Sequence, residues 1–310
     1  MLIPYSTPRA AFLLPFPPAE RPYTSRMTEL SASNTSKPHL DSALDRFRGD
    51  VWDYYRANRR EMPWRDVDDP YAVLVSEVML QQTQVVRVID RYREWMAAFP
   101  TLQALAAASL SAVLELWQGL GYNRRAVALK RAAEETVERF GGALPRDAAA
   151  LRTLPGVGPT TAAALLNYAF QEPAPFIETN VRAVFLHHFF PGAEGVPDSA
   201  LMPLVEAAWD LSDPRGWGYA LMDYGVFLKR SETNPSRRSR HHARQSRFEG
   251  SKRQTRARLL RAVLAAPGGP SEAYAEDSGV GTADADTLLE ELASEGFLAC
   301  EAGRWIVAGS

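Results

Sequence analysis

Apolar residues recur at intervals of three and four positions from residue 40 to residue 228, which is the spacing of one buried helix face. Proline, glycine and capping residues interrupt this pattern and bound the predicted helices. These helices lie near residues 41–60, 70–98, 101–107, 109–117, 123–140, 146–152, 159–170, 179–190, 198–211 and 216–228. The pattern therefore predicts an all-α domain over residues 41–228.

The segments before and after this domain lack its continuous helical pattern. Residues 1–40 are rich in proline, serine and threonine and show no helical or alternating period, so we expect them to be disordered. Their short apolar run is broken by proline and lacks a basic leader, which makes a poor signal peptide. After a basic linker over residues 229–253, residues 254–310 predict a small α+β module. Its helices near 255–266 and 284–294, followed by a hairpin over 297–308, resemble a winged helix.

Composition narrows the class of protein. The 310 residues are 46% hydrophobic and 23% charged, which is enough for a sizeable buried core. No apolar run approaches the ~20 residues that a membrane helix needs, so we expect no membrane partner. The single cysteine, Cys300, excludes an internal disulfide framework and any four-cysteine metal or iron–sulfur site. So little cysteine suits a reducing compartment, and we expect a cytoplasmic protein.

The charge is distributed unevenly along the chain. Residues 229–258 contain eleven lysines and arginines against two acids, and subtracting this excess of nine from the overall −2 leaves about −11 for the rest. The basic stretch is either a solvated, mobile segment or an arm that binds phosphate. Its candidate DNA contacts are Arg237, Arg238 and Arg240. The acidic remainder predicts that any nucleic-acid contact is local.

The sequence Leu-Pro-Gly-Val-Gly-Pro-Thr at residues 154–160 indicates a turn between two helices. Such a turn exposes backbone N–H groups at a helix N-terminus, and these can bind a phosphate without a basic side chain. Gly156, Val157, Gly158 and Thr160 are therefore candidate DNA contacts. The alternative is an ordinary tight turn, since glycine is common in turns.

Glu77 is the only charged residue at positions 73–80 of the predicted helix 70–98, where it stands among apolar side chains. Burial of a carboxyl raises its pKa and keeps it protonated near neutrality, which is the state that a general acid needs. The alternative is a buried acid paired with an arginine such as Arg65. Gln81 and Gln82 follow in the same segment, and their amides suit the edges of nucleobases better than they suit a core.

Glu178 precedes the predicted helix 179–190 and supplies a second carboxyl. It is either a helix N-cap or the anionic partner of Glu77. Glycosidic chemistry uses two such groups, because one protonates the leaving group while the other stabilises an oxocarbenium-like sugar.

Five motifs carry a resemblance to a known family: P-W-R, D-P-Y-A-V-L-V-S-E-V-M-L-Q-Q-T-Q-V, L-W-Q-G-L-G-Y-N-R-R-A, L-P-G-V-G and I-E-T-N-V-R. In this order they resemble the helix-hairpin-helix DNA glycosylases of the endonuclease III superfamily, most nearly the MutY adenine glycosylases, over roughly residues 59–226. The resemblance implies a two-lobed domain that extrudes a base from double-stranded DNA and cuts its N-glycosidic bond.

The resemblance also implies roles for single residues. It implies that Glu77 is the catalytic acid and that Arg65 and Asn180 orient the two carboxyls. It further implies that Gln82 and Tyr122 enter the duplex at the gap left by the extruded base.

The chain departs from the family pattern at four points. Glu178 replaces an aspartate, which extends the carboxylate by one methylene. Thr160 replaces the lysine of bifunctional members, so a monofunctional enzyme is expected. The four cysteines of the family's iron–sulfur cluster are missing, and no cofactor is expected. The C-terminal module is too short for a Nudix-like domain.

The expected function is thus a monofunctional glycosylase that acts on adenine opposite guanine or 8-oxoguanine, in a monomeric, nucleoid-associated protein. Uracil, thymine or another altered base is an alternative target. A lesion-binding protein without catalysis, and a lyase that uses another lysine, are further alternatives.

Overall fold

The computed structural model describes residues 37–231, 233–241 and 247–309. The prediction of disorder for residues 1–36 lies outside this range. The elements in chain order are α1 (Lys37–Asn58), α2 (Pro70–Leu80), α3 (Val85–Ala98), α4 (Leu102–Ala107), α5 (Leu110–Trp117), α6 (Arg124–Phe140), α7 (Ala148–Leu151), α8 (Pro159–Tyr168), α9 (Thr179–Phe189), α10 (Asp198–Ala208), α11 (Pro214–Ser231), α12 (Lys252–Ala265), α13 (Ser271–Ser278), α14 (Thr282–Ser294), β1 (Leu298–Glu301) and β2 (Arg304–Val307). The predicted all-α domain followed by a small α+β module is confirmed.

Two boundaries differ from the prediction. Helix α1 begins at Lys37, inside the segment expected to be disordered. The prediction of one helix over residues 70–98 is wrong, because the chain leaves the helix after Leu80 and starts α3 at Val85. At the break Gln82 has a left-handed φ of 55°. Residues 81–84 therefore form a bend at the end of the helix that carries Glu77.

The helices of the domain pack in two groups. Helices α1, α9, α10 and α11 form one group, and α3, α4, α5 and α6 form the other. Helix α2 packs on α3, α6 and α8, while α8 also packs on α11, so α2 and α8 connect the groups. The start of α2 is fixed locally: Asp69 caps it by accepting a hydrogen bond from the Tyr71 N–H at 3.0 Å, and Pro70 occupies its first turn.

The C-terminal module contains α12, α13, α14 and an antiparallel hairpin that pairs Leu298 with Val307 and Glu301 with Arg304. Both predicted helices and the hairpin are present, whereas α13 was not predicted. The module packs against the domain through Glu295, which pairs with Arg124 at 2.7 Å.

Part of the predicted linker is folded. Helix α11 continues to Ser231, and residues Pro235–Arg238 form a turn of 3-10 helix that packs on α9. The Arg240 N–H donates to Val196 O at 3.1 Å, which fixes the end of this segment. Within the described ranges, no helix combines the length and the apolar character that crossing a bilayer requires.

Candidate active site

Glu77 lies on α2, and the side chains of its neighbours Val73, Val78 and Met79 are buried in the core. Glu77 keeps partial contact with solvent, and no hydrogen bond or ion pair from its carboxyl is found within the described part of the chain. Burial and, after it, the nearby charge of Glu178 together raise the pKa of Glu77 to about 7. This carboxyl is therefore protonated in a large fraction of molecules at neutral pH. The alternative, pairing with Arg65, is wrong.

Glu178 is the N-cap of α9, which is one of the two roles that the sequence predicted for it. Its Oε1 accepts hydrogen bonds from the backbone N–H of Asn180 and from that of Val181, the latter at 2.9 Å, and its Oε2 accepts from Asn180 Nδ2 at 3.1 Å. Burial raises the pKa of Glu178 above its ordinary value, although these donors and the positive charge of Lys229 offset part of that rise. The helix N-terminus also favours the ionised form.

The two carboxyls differ in the way that glycosidic chemistry requires. Three N–H donors and a neighbouring lysine favour the carboxylate of Glu178, and within the described residues nothing comparable favours the carboxylate of Glu77. The charge of Glu178 acts on Glu77, and the charges of both act on Tyr168, so the two carboxyls are electrostatic neighbours. One carboxyl can thus hold a proton while the other holds a negative charge.

Asn180 is positioned by packing as well as by hydrogen bonds. A Cβ atom at Gly225 of α11 would lie 2.6 Å from Asn180 O, so only glycine permits this approach of α11 to α9. The Asn180 amide also donates to Met222 Sδ at 3.5 Å. Its Oδ1 is buried and accepts no hydrogen bond from the described residues, so it is available to a bound molecule.

Arg65 contacts neither carboxyl of this pair, contrary to the expectation. Its Nη1 and Nη2 each lie 2.7 Å from an oxygen of Asp223, and both side chains are buried. Asp223 also accepts from Arg60 Nε at 2.6 Å. The arginine instead fixes α11 to the loop before α2, and so acts on the site through the scaffold. Asp223 was not singled out in the sequence, although it too is a lone acid in an apolar helix.

Two tyrosines lie beside Glu77. The ring of Tyr168 on α8 stacks on that of Tyr219 on α11 at 4.3 Å, and the Arg65 guanidinium lies 4.6 Å from the Tyr219 ring centre. The Tyr168 hydroxyl is buried without a hydrogen-bond partner among the described residues. Burial and the charge of Glu77 raise the pKa of Tyr168, so its hydroxyl stays protonated. Nothing in the local sequence around Tyr168 indicated this position.

Arg125 on α6 joins the bend after α2 to the turn that holds Tyr122. It donates to Val78 O at 2.8 Å and Gln81 O at 2.6 Å, and to Gly121 O at 2.9 Å. A cation at the C-terminal carbonyls of α2 is favoured by the helix dipole. Burial lowers the pKa of Arg125 to about 10, so it remains charged at neutral pH. The sequence analysis missed this residue, although it lies in the motif L-W-Q-G-L-G-Y-N-R-R-A.

The three residues expected to reach a duplex lie on these two turns. Gln81 is partly buried and donates from Nε2 to Thr161 Oγ1 at 3.3 Å, which connects α2 to α8. Gln82 is exposed at the tip of the bend. Tyr122 is 38% exposed despite its size and has a left-handed φ of 49°. Gln82 and Tyr122 thus project from adjacent turns beside the helix that carries Glu77.

The predicted hairpin joins α7 to α8. Gly156 has a φ of 77°, and a Cβ there would lie 2.9 Å from Ala128 Cβ, so glycine is required. Gly156, Gly158 and Thr160 are exposed. The N–H groups of Gly158 and Thr160 have no acceptor among the described residues, which leaves them available to a phosphate. Val157 differs from the other candidate residues of the hairpin: its side chain is 5% exposed and its N–H donates to Leu154 O, so this N–H is not available to a phosphate.

The basic segment divides into two kinds of arginine. Arg237 and Arg240 are exposed. Arg238 was also expected to bind DNA, but it donates to Phe190 O at 2.6 Å and to Leu186 O at 2.9 Å. Its guanidinium is therefore used to bind the C-terminal carbonyls of α9.

The residues do not fit an iron–sulfur cluster. Such clusters are held by cysteine thiolates, usually four, and the chain contains the single Cys300, exposed on β1 in the C-terminal module. No group of three or more potential metal ligands is found in the described ranges.

Proteins with similar sequences are DNA glycosylases, which is consistent with the pair of carboxyls described above. An adenine DNA glycosylase of Mycobacterium tuberculosis is 32% identical over 278 residues, which cover 79% of this chain and 88% of that protein. The family model for the HhH-GPD superfamily of base excision DNA repair proteins matches residues 75–200. The chain belongs to the HhH-GPD superfamily. The matched HhH-GPD region contains Glu77, Glu178 and the hairpin.

Other HhH-GPD relatives differ in length. The adenine DNA glycosylase of Mus musculus is 39% identical over 215 residues, which cover 64% of this chain and 41% of that protein. The chain thus spans less than half the length of this relative. The solved structure of a thermostable thymine-DNA glycosylase superposes with a TM-score of 0.54 at 25% identity, covering 60% of this chain and 87% of the other. The two-lobed helical fold is therefore shared with a protein that is named as a glycosylase of thymine, whereas the relatives above are named as glycosylases of adenine.

Proposed function

We propose that the protein is a monofunctional DNA glycosylase that hydrolyses the N-glycosidic bond of adenine opposite guanine or 8-oxoguanine. The observation that carries the proposal is the pair of carboxyls, in which Glu77 has a pKa of about 7 and Glu178 is capped by three N–H donors. The names of the relatives support adenine as the base.

In this proposal, an extruded nucleotide lies between Glu77 and Glu178. Glu77 donates its proton to a ring nitrogen of the departing base, which leaves as a neutral molecule. The carboxylate of Glu178 stabilises the positive charge that develops on the sugar. A water molecule then adds to the anomeric carbon and gives up a proton to the ionised Glu77, which restores the acid. Asn180 holds the carboxylate of Glu178 in place.

The remaining contacts of the proposed complex are with the duplex. Gln82 and Tyr122 enter the gap that the base leaves, and the N–H groups of Gly158 and Thr160 bind a backbone phosphate. Arg237 and Arg240 add electrostatic attraction to phosphates. We expect the protein to act as a cytoplasmic, nucleoid-associated monomer.

The absence of strand cleavage and of a cluster are parts of the same proposal. Thr160 has no amine, so no Schiff base forms there. The segment after α11 is held by Arg238 and Asn234 instead of by metal ligands: Arg238 binds the end of α9, and Asn234 Oδ1 accepts from Ser236 Oγ at 2.7 Å. The proposed enzyme therefore needs no cofactor.

The test is a panel of duplexes incubated with the purified protein and then treated with hot alkali. The panel pairs adenine, thymine, uracil and altered bases with each opposing base. Alkali-labile sites from adenine opposite guanine or 8-oxoguanine, lost in Glu77→Gln, are the expected result. Cleavage only at thymine or uracil would favour a second candidate function, a glycosylase of thymine or uracil. The fold shared with the thymine-DNA glycosylase supports that candidate.

Two controls complete this test. Glu206→Gln removes a carboxyl from an exposed position of α10 and should leave excision unchanged. Borohydride should trap no covalent adduct, whereas a trapped adduct would identify a lyase. Tight lesion binding without excision of any base would favour a protein that only recognises damage.

A further inference from the structure

The turn that carries Tyr122 is strained and is held from several sides. Gly119 and Gly121 have φ values of 90° and 74°, and Tyr122 itself has a φ of 49°. The left-handed backbone region is unfavourable for a non-glycine residue, which adopts it only where its surroundings fix it. Trp117 Nε1 donates to Gly121 O at 3.1 Å, and Arg125 Nη2 donates to the same oxygen at 2.9 Å. These contacts fix the backbone of the turn.

The ring of Tyr122 is held by the C-terminal module. Arg253, at the start of α12, donates from Nη1 to the Tyr122 hydroxyl at 2.8 Å. Its guanidinium carbon lies 5.7 Å from the ring centre, and that of Arg125 lies 5.6 Å away. Both distances are within reach of a cation–π interaction. The exposed ring is therefore flanked by one arginine of the domain and one of the module.

The module is anchored beside this ring by ion pairs. Glu295 binds Arg124 and also Arg256 of α12, each at 2.7 Å. Glu291 binds Arg256 at 2.8 Å. Arg124 is two residues from Tyr122, so the anchor and the contact of Arg253 act on the same turn. An isolated ion pair on the surface contributes little to stability. A connected set of ion pairs, such as this one, holds the module in place beside the turn more firmly.

The distribution of charge on the module indicates which of its helices can face the phosphates of a DNA duplex. Helices α13 and α14 contain acidic residues and no lysine or arginine. Helix α12 is basic, and Lys252, Arg258 and Arg261 are exposed on it. Phosphates are attracted to α12 and repelled by α13 and α14. The basic helix is also the one that contacts Tyr122.

We propose that the C-terminal module is part of the duplex-probing site, and that Arg253 is a positioning residue that orients the Tyr122 ring for entry into DNA. This inference rests on the proposed function, because it assigns Tyr122 to the gap left by an extruded base. It adds a role for the module, which holds Tyr122 from outside the HhH-GPD domain and presents α12 to the phosphates beside the gap.

The test measures base unstacking without catalysis. All proteins are full-length and carry Glu77→Gln, and the probe is a duplex with 2-aminopurine next to the target adenine, whose fluorescence rises when stacking is lost. Arg253→Met keeps the aliphatic stem but removes the charge and the donor. We expect it to lower the unstacking equilibrium about tenfold, which is the scale of a lost charge-assisted hydrogen bond. Arg253→Lys should restore most of the signal.

Two comparisons separate positioning from a general loss of charge or of folding. Arg258→Met removes one exposed charge from the same helix, so it measures phosphate attraction alone and should lower unstacking less than Arg253→Met does. Tyr122→Phe removes the acceptor of Arg253, so the double variant with Arg253→Met should be no worse than Arg253→Met alone. Thermal melting of every variant checks that the fold is intact.

The outcomes are distinct. A fluorescence rise that Arg253→Met leaves unchanged would overturn the role of Arg253 and keep the proposed function. If Arg253→Met and Arg258→Met lower the fluorescence rise equally, Arg253 acts only by attracting phosphates. This result would also overturn the inference. If the parent protein unstacks no base in any duplex of the panel, the proposed function fails first, and this inference fails with it.

Discussion

Replacing Glu77 by glutamine should make the protein more stable at alkaline pH while it removes the proposed acid. The carboxyl is surrounded by the buried residues of α2, and its pKa is about 7 in the folded protein against an ordinary value of 4.5. Ionisation is therefore easier in the unfolded chain. Below the ordinary pKa the carboxyl is protonated in both states, and its effect on stability is largest at low pH.

The magnitude follows from the two pKa values. As the pH rises above 4.5 the unfolded chain releases the proton first, and the folded state loses stability until the pH passes 7. The full loss is about 3 kcal/mol, because one pKa unit corresponds to about 1.4 kcal/mol. Between pH 5 and pH 8 the loss is about 2–3 kcal/mol. Glutamine has no charge to bury and should escape this loss.

The assay is urea unfolding of the wild type and Glu77→Gln at pH 5 and pH 8. The difference in the free energy of unfolding should grow by about 2–3 kcal/mol in favour of the variant at the higher pH. Glu206→Gln, from the exposed face of α10, is the matched control and should follow the wild type. A difference between wild type and Glu77→Gln that stays constant with pH would refute the raised pKa.

Three further variants test other parts of the site. Lys229→Met removes a positive charge that lowers the pKa of Glu178, so the acidic limb of the pH–rate profile should move to higher pH; a limb that stays in place would contradict the coupling. Gly225→Ala places a methyl group 2.6 Å from Asn180 O and should cost about 1–3 kcal/mol in urea unfolding and slow excision, whereas wild-type behaviour would show that α11 can move away. Gly156→Ala combines a φ of 77° with a contact of 2.9 Å to Ala128 Cβ, so affinity for duplex DNA should fall in a polarisation titration; unchanged affinity would remove the hairpin from the interface.

Local sequence patterns predicted the features that depend on neighbouring residues. The apolar surroundings of Glu77 indicated a buried acid. The glycines at 156 and 158 indicated the hairpin. Each of these depends on contacts within a few positions of the chain, where helix periodicity and capping rules apply directly.

Features that depend on distant residues were not predictable in this way. Arg65 and Asp223 are separated by 158 positions, and the sequence gives no means of choosing Asp223 over Glu77 as the partner of Arg65. Arg238 lies in a basic run that resembles a solvated arm, yet the fold brings the end of α9 to it. The break after Leu80 was also missed, because Gln81 and Gln82 are compatible with a helix in isolation.

The most direct test of the central claim is the pH dependence of single-turnover excision of adenine opposite 8-oxoguanine. If protonated Glu77 drives departure of the base, the rate should fall about tenfold per pH unit well above pH 7. Glu77→Gln should lose roughly 10²–10⁴-fold at neutral pH. A wild-type rate that stays constant from neutral to alkaline pH, or a glutamine variant that excises adenine at the wild-type rate, would contradict the account.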